Sequence, residues 1–197
     1  MAEEPRVVFL RGPRGVVLRP LCRRTDFDLC VRGMNDPEVN QFLTRYLPLS
    51  EAEEEKWFER LAQSRDEILL AIEAPGGHYI GNLSLFSINW KNRTAMFGVS
   101  IFAKEYWSRG YGADAAMTMF DYAFNRLNLR KINSYFLAFN ERSRRLHVAL
   151  GMKQEGVRRK EDYFNGEYHD ELLFGVFREE WEPAWQAYRE RHAAGAK

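Results

Sequence analysis

The alternation of hydrophobic and polar positions changes period several times along the chain, and each change marks an expected element. Apolar runs bounded by turn residues predict strands at Val7–Leu10, Gly15–Leu21, Glu67–Glu73, His78–Ile88, Thr94–Ala103, Lys131–Phe139, Met152–Phe164 and Glu167–Phe177. Stretches rich in helix-forming residues predict helices at Asp26–Asn35, Glu38–Tyr46, Glu51–Ser64, Gly110–Leu127, Glu141–Leu150 and Glu179–Arg191. This order of elements predicts an α+β protein built on one mixed sheet.

Local signals define several ends of these elements. Pro37 is expected to end the first helix. Ser50 and Glu53 have the spacing of a capping box at the start of the third helix. Asn165-Gly166 is typical of a type I′ turn and predicts a hairpin between the last two strands. The segment Gly110–Leu127 is apolar around most of its circumference, which predicts a helix buried against the sheet.

Length and composition narrow the class of protein. A chain of 197 residues predicts a single domain, 1–197. The 29 basic and 28 acidic residues leave a net charge of +1, which disfavours a nucleic-acid-binding protein. The two cysteines form no Cys-x-x-Cys pair, so we expect neither a zinc site nor another metal site. The start lacks a signal-peptide pattern and no apolar run reaches 18 residues, so we expect a cytoplasmic protein that does not enter the membrane.

The segment from Trp107 to Ala113 contains the clearest candidate binding site. Glycines at a helix start let a ligand approach the backbone, where free N–H groups and the helix dipole favour an anion. Arg109 adds a cation suited to phosphate. A tight turn without a ligand is the alternative. The relaxed dinucleotide fingerprint Gly110-x-Gly112-x-x-Ala115 is present but lacks the expected parallel βαβ units, and no P-loop sequence occurs.

At this point the chain resembles the GNAT superfamily of acetyl-CoA-dependent N-acetyltransferases. The family motif Gln/Arg-x-x-Gly-x-Gly/Ala is matched by Trp107-x-x-Gly110-x-Gly112, and Trp in the first position is similar to the branch of ribosomal-protein N-terminal alanine acetyltransferases. A second segment, Asn140-x-x-Ser143 followed by Gly151-Met152, is similar to the family's Asn-x-x-Ser…Gly-Phe. The resemblance extends over roughly residues 15–181.

The resemblance implies a sheet that splays open between the family's fourth and fifth strands, here Thr94–Ala103 and Lys131–Phe139. It also implies acetyl-CoA as co-substrate and direct attack by a neutral amine on the thioester, with no protein nucleophile. The residues expected to bind CoA are Ser100, Ile101, Phe102 and Ala103 on the strand, Trp107, Ser108, Arg109, Gly110, Tyr111, Gly112 and Ala113 in the turn, and Asn140 and Ser143 beyond it. The basic run at Arg142 could also meet a CoA phosphate, although a solvated helix face is the simpler interpretation.

The acid and the base of the reaction are less well marked. His147 occupies the position where many relatives place a tyrosine acid, and it shares a helix face with Ser143. Met96 stands where relatives often carry a glutamate base, so that role cannot be transferred. Glu105, Asp170 and His169 are the remaining candidates, with a water chain as the alternative.

We expect the acceptor to be a primary amine, either a small molecule or a protein N-terminus. By the resemblance it enters between the Glu38–Pro48 region and the Tyr163–Asp170 hairpin. The hairpin is acidic, which favours a cationic amine. The alternative is a non-catalytic acyl-CoA-binding or sensor module on the same fold, and a dinucleotide oxidoreductase is a more distant one. A monomer and a homodimer are both compatible with the sequence.

Overall fold

A computed structural model describes residues 7–43 and 45–193. The strands are β1 (Leu10–Arg11), β2 (Val17–Arg19), β3 (Ile68–Ala74), β4 (His78–Asn89), β5 (Thr94–Ile101), β6 (Lys131–Leu137), β7 (Lys153–Phe164) and β8 (Glu167–Phe177). The helices are α1 (Arg23–Asn35), α2 (Pro37–Asn40), α3 (Glu51–Gln63), α4 (Tyr111–Asn125), α5 (Glu141–Ala149) and α6 (Arg178–Ala193). A single 3₁₀ turn covers Lys104–Tyr106.

The eight strands form one sheet in the order β1-β2-β3-β4-β5-β6-β8-β7. Neighbouring strands are antiparallel except β5 and β6, which are parallel. The β5–β6 pairing joins only Thr94–Met96 to Lys131–Asn133. Beyond these residues the two strands separate, and the opening between 97–101 and 134–137 is called the fork below. The α+β class and the splayed sheet are therefore confirmed.

The two faces of the sheet carry different helices. Phe97 packs edge-on against Phe120 of α4, with ring centroids 4.9 Å apart, and this face contains the main hydrophobic core. We call it the α4 face. The opposite face is covered by α1, whose Cys30 contacts Asn82 of β4. We call it the α1 face. Because side chains alternate along a strand, residues next to Phe97, such as Gly98, point toward the α1 face.

Several local predictions are confirmed. Ser50 Oγ accepts from the Glu53 backbone N–H at 3.3 Å, and Glu53 Oε2 accepts from the Ser50 N–H at 3.0 Å, so the capping box is complete. Asn165 and Gly166 both have positive φ, 51° and 88°, as a type I′ turn requires. Helix α4 has nine buried residues, in agreement with a helix enclosed by the sheet and its neighbours.

Other boundaries differ from those predicted. The first helix starts at Arg23 rather than Asp26, because the Asp26 carboxylate accepts a hydrogen bond from the Cys22 N–H and supports an earlier start. The helix predicted over Glu38–Tyr46 ends at Asn40, and only single-turn hydrogen bonds continue to Leu43. The prediction was wrong there, and Thr44 lies outside the described residues.

Candidate active site

A cavity of about 1140 Å³ opens at the fork and continues between the sheet and the helices of the α1 face. The predicted residues that line it are Ser100, Ile101, Phe102, Trp107, Ser108, Gly110, Tyr111, Gly112, Ala113, Asn140, Ser143 and His147. Among the described residues, Ala103, Glu105, Arg109 and Asp170 are not part of its wall. The structure thus brings together both motifs that the sequence singled out.

The glycine turn leaves the start of α4 open for an anion. Gly110 is the N-cap of α4, has φ of 83°, and offers no side chain to accept hydrogen bonds from the first helical N–H groups. At Gly112 an added Cβ would meet only Ile101 Cγ1, at 3.9 Å, so a ligand can approach the backbone closely. These are the properties of a phosphate-binding helix start.

A cation near this turn was not identified from the sequence. A Cβ at Gly110 would overlap the guanidinium of Arg14, which therefore lies directly against the turn. The backbone N–H of Arg14 also donates to both carboxylate oxygens of Asp114 in α4, at 3.1 and 3.2 Å. Arg14 is far from Gly110 in the sequence, and no local pattern connects the β1–β2 turn with the start of α4.

Trp107 has a structural role at the first position of the glycine motif. Its indole N–H donates to the Ile101 carbonyl at 2.8 Å and thereby ties the loop to the end of β5. The guanidinium of Arg142 lies over the Trp107 ring, 4.3 Å from its centroid, and also lines the cavity. The loop that precedes the glycines is therefore held by a hydrogen bond and a cation–π contact.

The backbone of β5 presents alternate residues to the fork. The Phe97 carbonyl oxygen faces the other strand and lies 3.0 Å from Ser134 Oγ. The N–H groups of Phe102 and Ala103 instead donate to the Ile80 carbonyl, at 2.8 and 3.1 Å. Since the direction of N–H and C=O groups alternates along a strand, those of Val99 face the fork. The sequence had placed backbone pairing slightly further along, at Ser100–Ala103.

His147 lies at the inner end of the fork with both ring nitrogens engaged. Nδ1 is 2.7 Å from the Ser143 carbonyl oxygen, and Nε2 is 2.8 Å from Ser134 Oγ. The ring is 2 % exposed and packs 4.6 Å from the Phe136 ring. Burial lowers the pKa of His147, against the opposing effect of the hydrogen bond to Ser143. The neutral imidazole therefore donates from Nδ1 and accepts at Nε2.

Two carboxylates that the sequence analysis did not select line the cavity. Glu171, on β8, is 3 % exposed, and its Oε1 accepts from Arg158 Nη1 at 2.5 Å. Burial raises the pKa of Glu171, Arg158 opposes this effect, and the nearby Asp162 adds to it. Asp162 Oδ2 is buried and has no hydrogen-bond partner among the described residues. Both groups lie where an ammonium ion could reach them.

The candidates chosen from the sequence are placed differently. Asp170 is adjacent to Glu171 and therefore points to the opposite face, where its Oδ1 accepts from the Lys160 N–H at 2.8 Å. Glu105 is exposed on the 3₁₀ turn. His169 contacts the Phe139 ring edge-on, with centroids 4.9 Å apart. Because side chains alternate along β8, the register of β8 against β6 would have shown that Glu171, and not Asp170, faces the cavity.

The wall on the α1 face also contains a buried carboxylate. Glu54 is the one buried residue that α3 contributes, at 5 % exposed, and it lines the cavity. Burial raises the pKa of Glu54, and the nearby Arg45 and Cys30 oppose this effect. Within residues 7–43 and 45–193, no group of three or more metal-ligating side chains is found, and no helix is long and apolar enough to cross a membrane.

Comparison with known proteins identifies the class. The family model for the acetyltransferase (GNAT) domain matches residues 16–153. The chain belongs to this family and is an acyl-CoA-dependent N-acetyltransferase with acetyl-CoA as co-substrate.

Individual relatives support the same class. YokL, a prophage-derived uncharacterized N-acetyltransferase of Bacillus subtilis, is 27 % identical over 150 residues, which cover 76 % of this chain and 84 % of the relative. The spermidine N(1)-acetyltransferase of Vibrio cholerae is 29 % identical over 128 residues, which cover 58 % of this chain and 73 % of the relative. The crystal structure of spermidine N-acetyltransferase from Vibrio cholerae with CoA and spermine has a TM-score of 0.79 at 24 % identity, covering 85 % of this chain and 98 % of that one.

Proposed function

We propose that this acetyltransferase acts on a small cationic amine that enters the cavity from the α1 face. The observation that carries the proposal is a pair of carboxylates on the wall of the cavity that opens at the fork: Glu171, which is buried, and Asp162, whose Oδ2 is buried and has no hydrogen-bond partner among the described residues. Buried carboxylates are costly unless a cation or hydrogen bonds compensate them. An ammonium substrate supplies that compensation. Relatives that are named spermidine acetyltransferases act on an acceptor of this class.

The chain offers groups that match the pyrophosphate and the amide-containing arm of acetyl-CoA, which supplies the acetyl thioester. The open N–H groups at Gly110–Gly112 suit the pyrophosphate, and Arg14 and Arg109 flank that turn. Val99 presents its N–H and C=O to the fork, where an amide-containing arm would pair with them. Asn140 Oδ1 accepts from the Ser143 N–H at 3.0 Å and caps α5, which leaves its Nδ2 as a donor toward the cavity.

Asp162 is positioned to receive the proton that the amine must lose. An ammonium ion has no lone pair for attack, so a nearby base has to take a proton first. Asp162 Oδ2 is buried and free of hydrogen-bond donors among the described residues, whereas Glu171 is already bonded to Arg158. Asp162 therefore accepts the proton. The ion pair of Glu171 and Arg158 provides a polar environment next to Asp162.

His147 can pass a proton to the cavity through the hydroxyl of Ser134. Its Nε2 faces Ser134 Oγ, and both residues line the fork. A proton from an imidazolium at His147 reaches a leaving thiolate by passing through that hydroxyl. In the neutral state the same contact holds Ser134 in place. The two residues thus act as one unit in this proposal, with Ser134 nearest to the reacting atoms.

The experiment compares D162N with the wild type in acetyl transfer to a cationic amine. We expect kcat/KM at neutral pH to fall by about 10²–10⁴, the usual range for loss of a general base. The loss should shrink at high pH, where the amine is deprotonated in solution. D170N tests the candidate chosen from the sequence in the same hairpin. Equal activity of D162N and the wild type at neutral pH would contradict the assignment.

A further inference from the structure

Glu54 is a buried acid in a position where α3 should contribute an apolar residue. It is the helix residue that points toward the sheet, and it is 5 % exposed. Among the described residues no cation forms an ion pair with it. Arg45, which also lines the cavity, lowers the pKa of Glu54 electrostatically, but its ion pair is with Glu53, at 3.5 Å. A carboxylate buried in this way lowers stability, because it loses water and gains no salt bridge.

The immediate surroundings of Glu54 hold it in the cavity wall. Cys30 of α1 lines the same cavity and opposes the rise in the pKa of Glu54, and Asn82 Nδ2 donates to the Cys30 sulfur at 3.4 Å. Asn82 lies opposite Ser100 of β5. Glu54 shares the cavity wall with these residues of the β4–β5 arm of the fork, on the α1 face.

Glu171 lies on the other arm of the fork and on the same face. It is paired with Leu137 of β6 in the β6–β8 register. Ser134 contacts His147 on the α4 face, so alternation directs Leu137, and with it Glu171, toward the α1 face. Two buried carboxylates therefore face one cavity from opposite arms of the fork.

The cavity wall near Glu54 is suited to a hydrocarbon chain. Trp57, one turn after Glu54 on α3, lines the cavity together with Phe86 of β4 and Leu69 of β3. Aromatic and aliphatic side chains bury methylene groups favourably and attract ammonium ions at the ring faces. The cavity thus combines a buried acid on each arm of the fork with apolar side chains in its wall.

We propose that Glu54 binds a second ammonium group of the acceptor, so that the preferred acceptor is a diamine with both cationic ends inside the cavity. The reacting end lies near Asp162 and Glu171, and the distal end lies at Glu54. This inference rests on the proposed function and assigns Glu54 as a specificity-determining residue for it.

The test compares two substrate series in the wild type and in E54Q. One series consists of α,ω-diamines of increasing length, and the other of n-alkylamines of the same lengths, which lack the second charge. We expect the wild type to prefer diamines. E54Q should lower kcat/KM for diamines by about 10- to 100-fold, because a charge-assisted hydrogen bond is lost, and leave the values for alkylamines within about twofold.

The control is E59Q, an exposed glutamate on the same helix, which should leave both series unchanged. An equal loss for diamines and alkylamines in E54Q would overturn the inference, because it would show a structural role. An unchanged diamine preference in E54Q would overturn it as well. Failure of the wild type to acetylate any amine in either series would instead overturn the proposed function.

Discussion

Ser134 Oγ lies 2.8 Å from His147 Nε2 and 3.0 Å from the Phe97 carbonyl oxygen, at the point where β5 and β6 stop pairing. The hydroxyl has one hydrogen and cannot donate to both acceptors. With a neutral imidazole it donates to Nε2, and with an imidazolium it accepts from Nε2 and donates to Phe97. The protonation state of His147 therefore sets the direction of the hydroxyl at the inner end of the fork.

If His147 and Ser134 work as one unit, loss of either should have the same effect. We expect H147A and S134A each to lower kcat by about 10²–10⁴ and to leave the KM for acetyl-CoA nearly unchanged. Because burial lowers the pKa of His147 below 6.5, the imidazolium fraction decreases at neutral pH, and kcat should rise as the pH is lowered toward that pKa. A loss smaller than about threefold in H147A would leave the residue with a packing role only.

The glycine turn can be tested with two substitutions at one position. G112A should fold and retain acetyl-CoA binding, since the space next to Gly112 accepts a Cβ. G112D places a negative charge beside the expected pyrophosphate and should abolish the thermal stabilisation that acetyl-CoA gives. Both variants are compared by melting temperature with and without acetyl-CoA. Wild-type stabilisation of a folded G112D would refute the phosphate site.

Glu54 should make stability depend on pH in a defined direction. Burial raises its pKa above 4.5, against the smaller effects of Arg45 and Cys30. The folded state thus binds the proton more tightly than the unfolded state, and the free energy of unfolding decreases as pH rises from 4.5 through the raised pKa. E54Q has no ionisable group at this position and therefore avoids this loss of stability. We expect E54Q to melt at a higher temperature than the wild type at about pH 7–8, with the difference disappearing near pH 4.

That difference is measured by differential scanning calorimetry across pH, with E59Q as the matched control. A melting-temperature advantage of E54Q that stays constant with pH would show that packing, and not the buried charge, is responsible.

The acidic hairpin should attract a cationic acceptor at long range. Glu167 is exposed at the start of β8 and lies on the same face as Glu171. We expect E167Q to raise the KM of a cationic amine, more at about 10 mM than at about 150 mM ionic strength, because salt screens the attraction. E190Q, an exposed glutamate on α6, is the control. A KM that is independent of salt in both variants would exclude steering by this residue.

The sequence predicted the elements that depend on local signals. The capping box, the type I′ turn and the buried α4 follow from short patterns around Ser50, Asn165 and Gly110, and the structure contains all three. The position of the glycine turn at the start of α4 was predictable for the same reason, because its motif is contiguous.

The acceptor side was not predictable to the same extent, since it depends on register and long-range packing. Asp170 and Glu171 are neighbours in the chain, and only the pairing of Glu171 with Leu137 shows which of them enters the cavity. Arg14 lies against Gly110 and Glu54 lines the cavity, although both belong to elements distant in sequence from the glycine turn. A capped, amphipathic helix such as α3 predicts an apolar buried position, and Glu54 is the exception.

The most direct measurement is the release of free CoA thiol from acetyl-CoA in the presence of an amine panel. The panel contains alkylamines, α,ω-diamines, peptides with a free N-terminus and neutral alcohols. We predict thiol release with small cationic amines. This release should decrease greatly in D162N and be absent in G112D. Acetyl-CoA binding without thiol release for any amine would contradict the account and would support a non-catalytic acyl-CoA sensor instead.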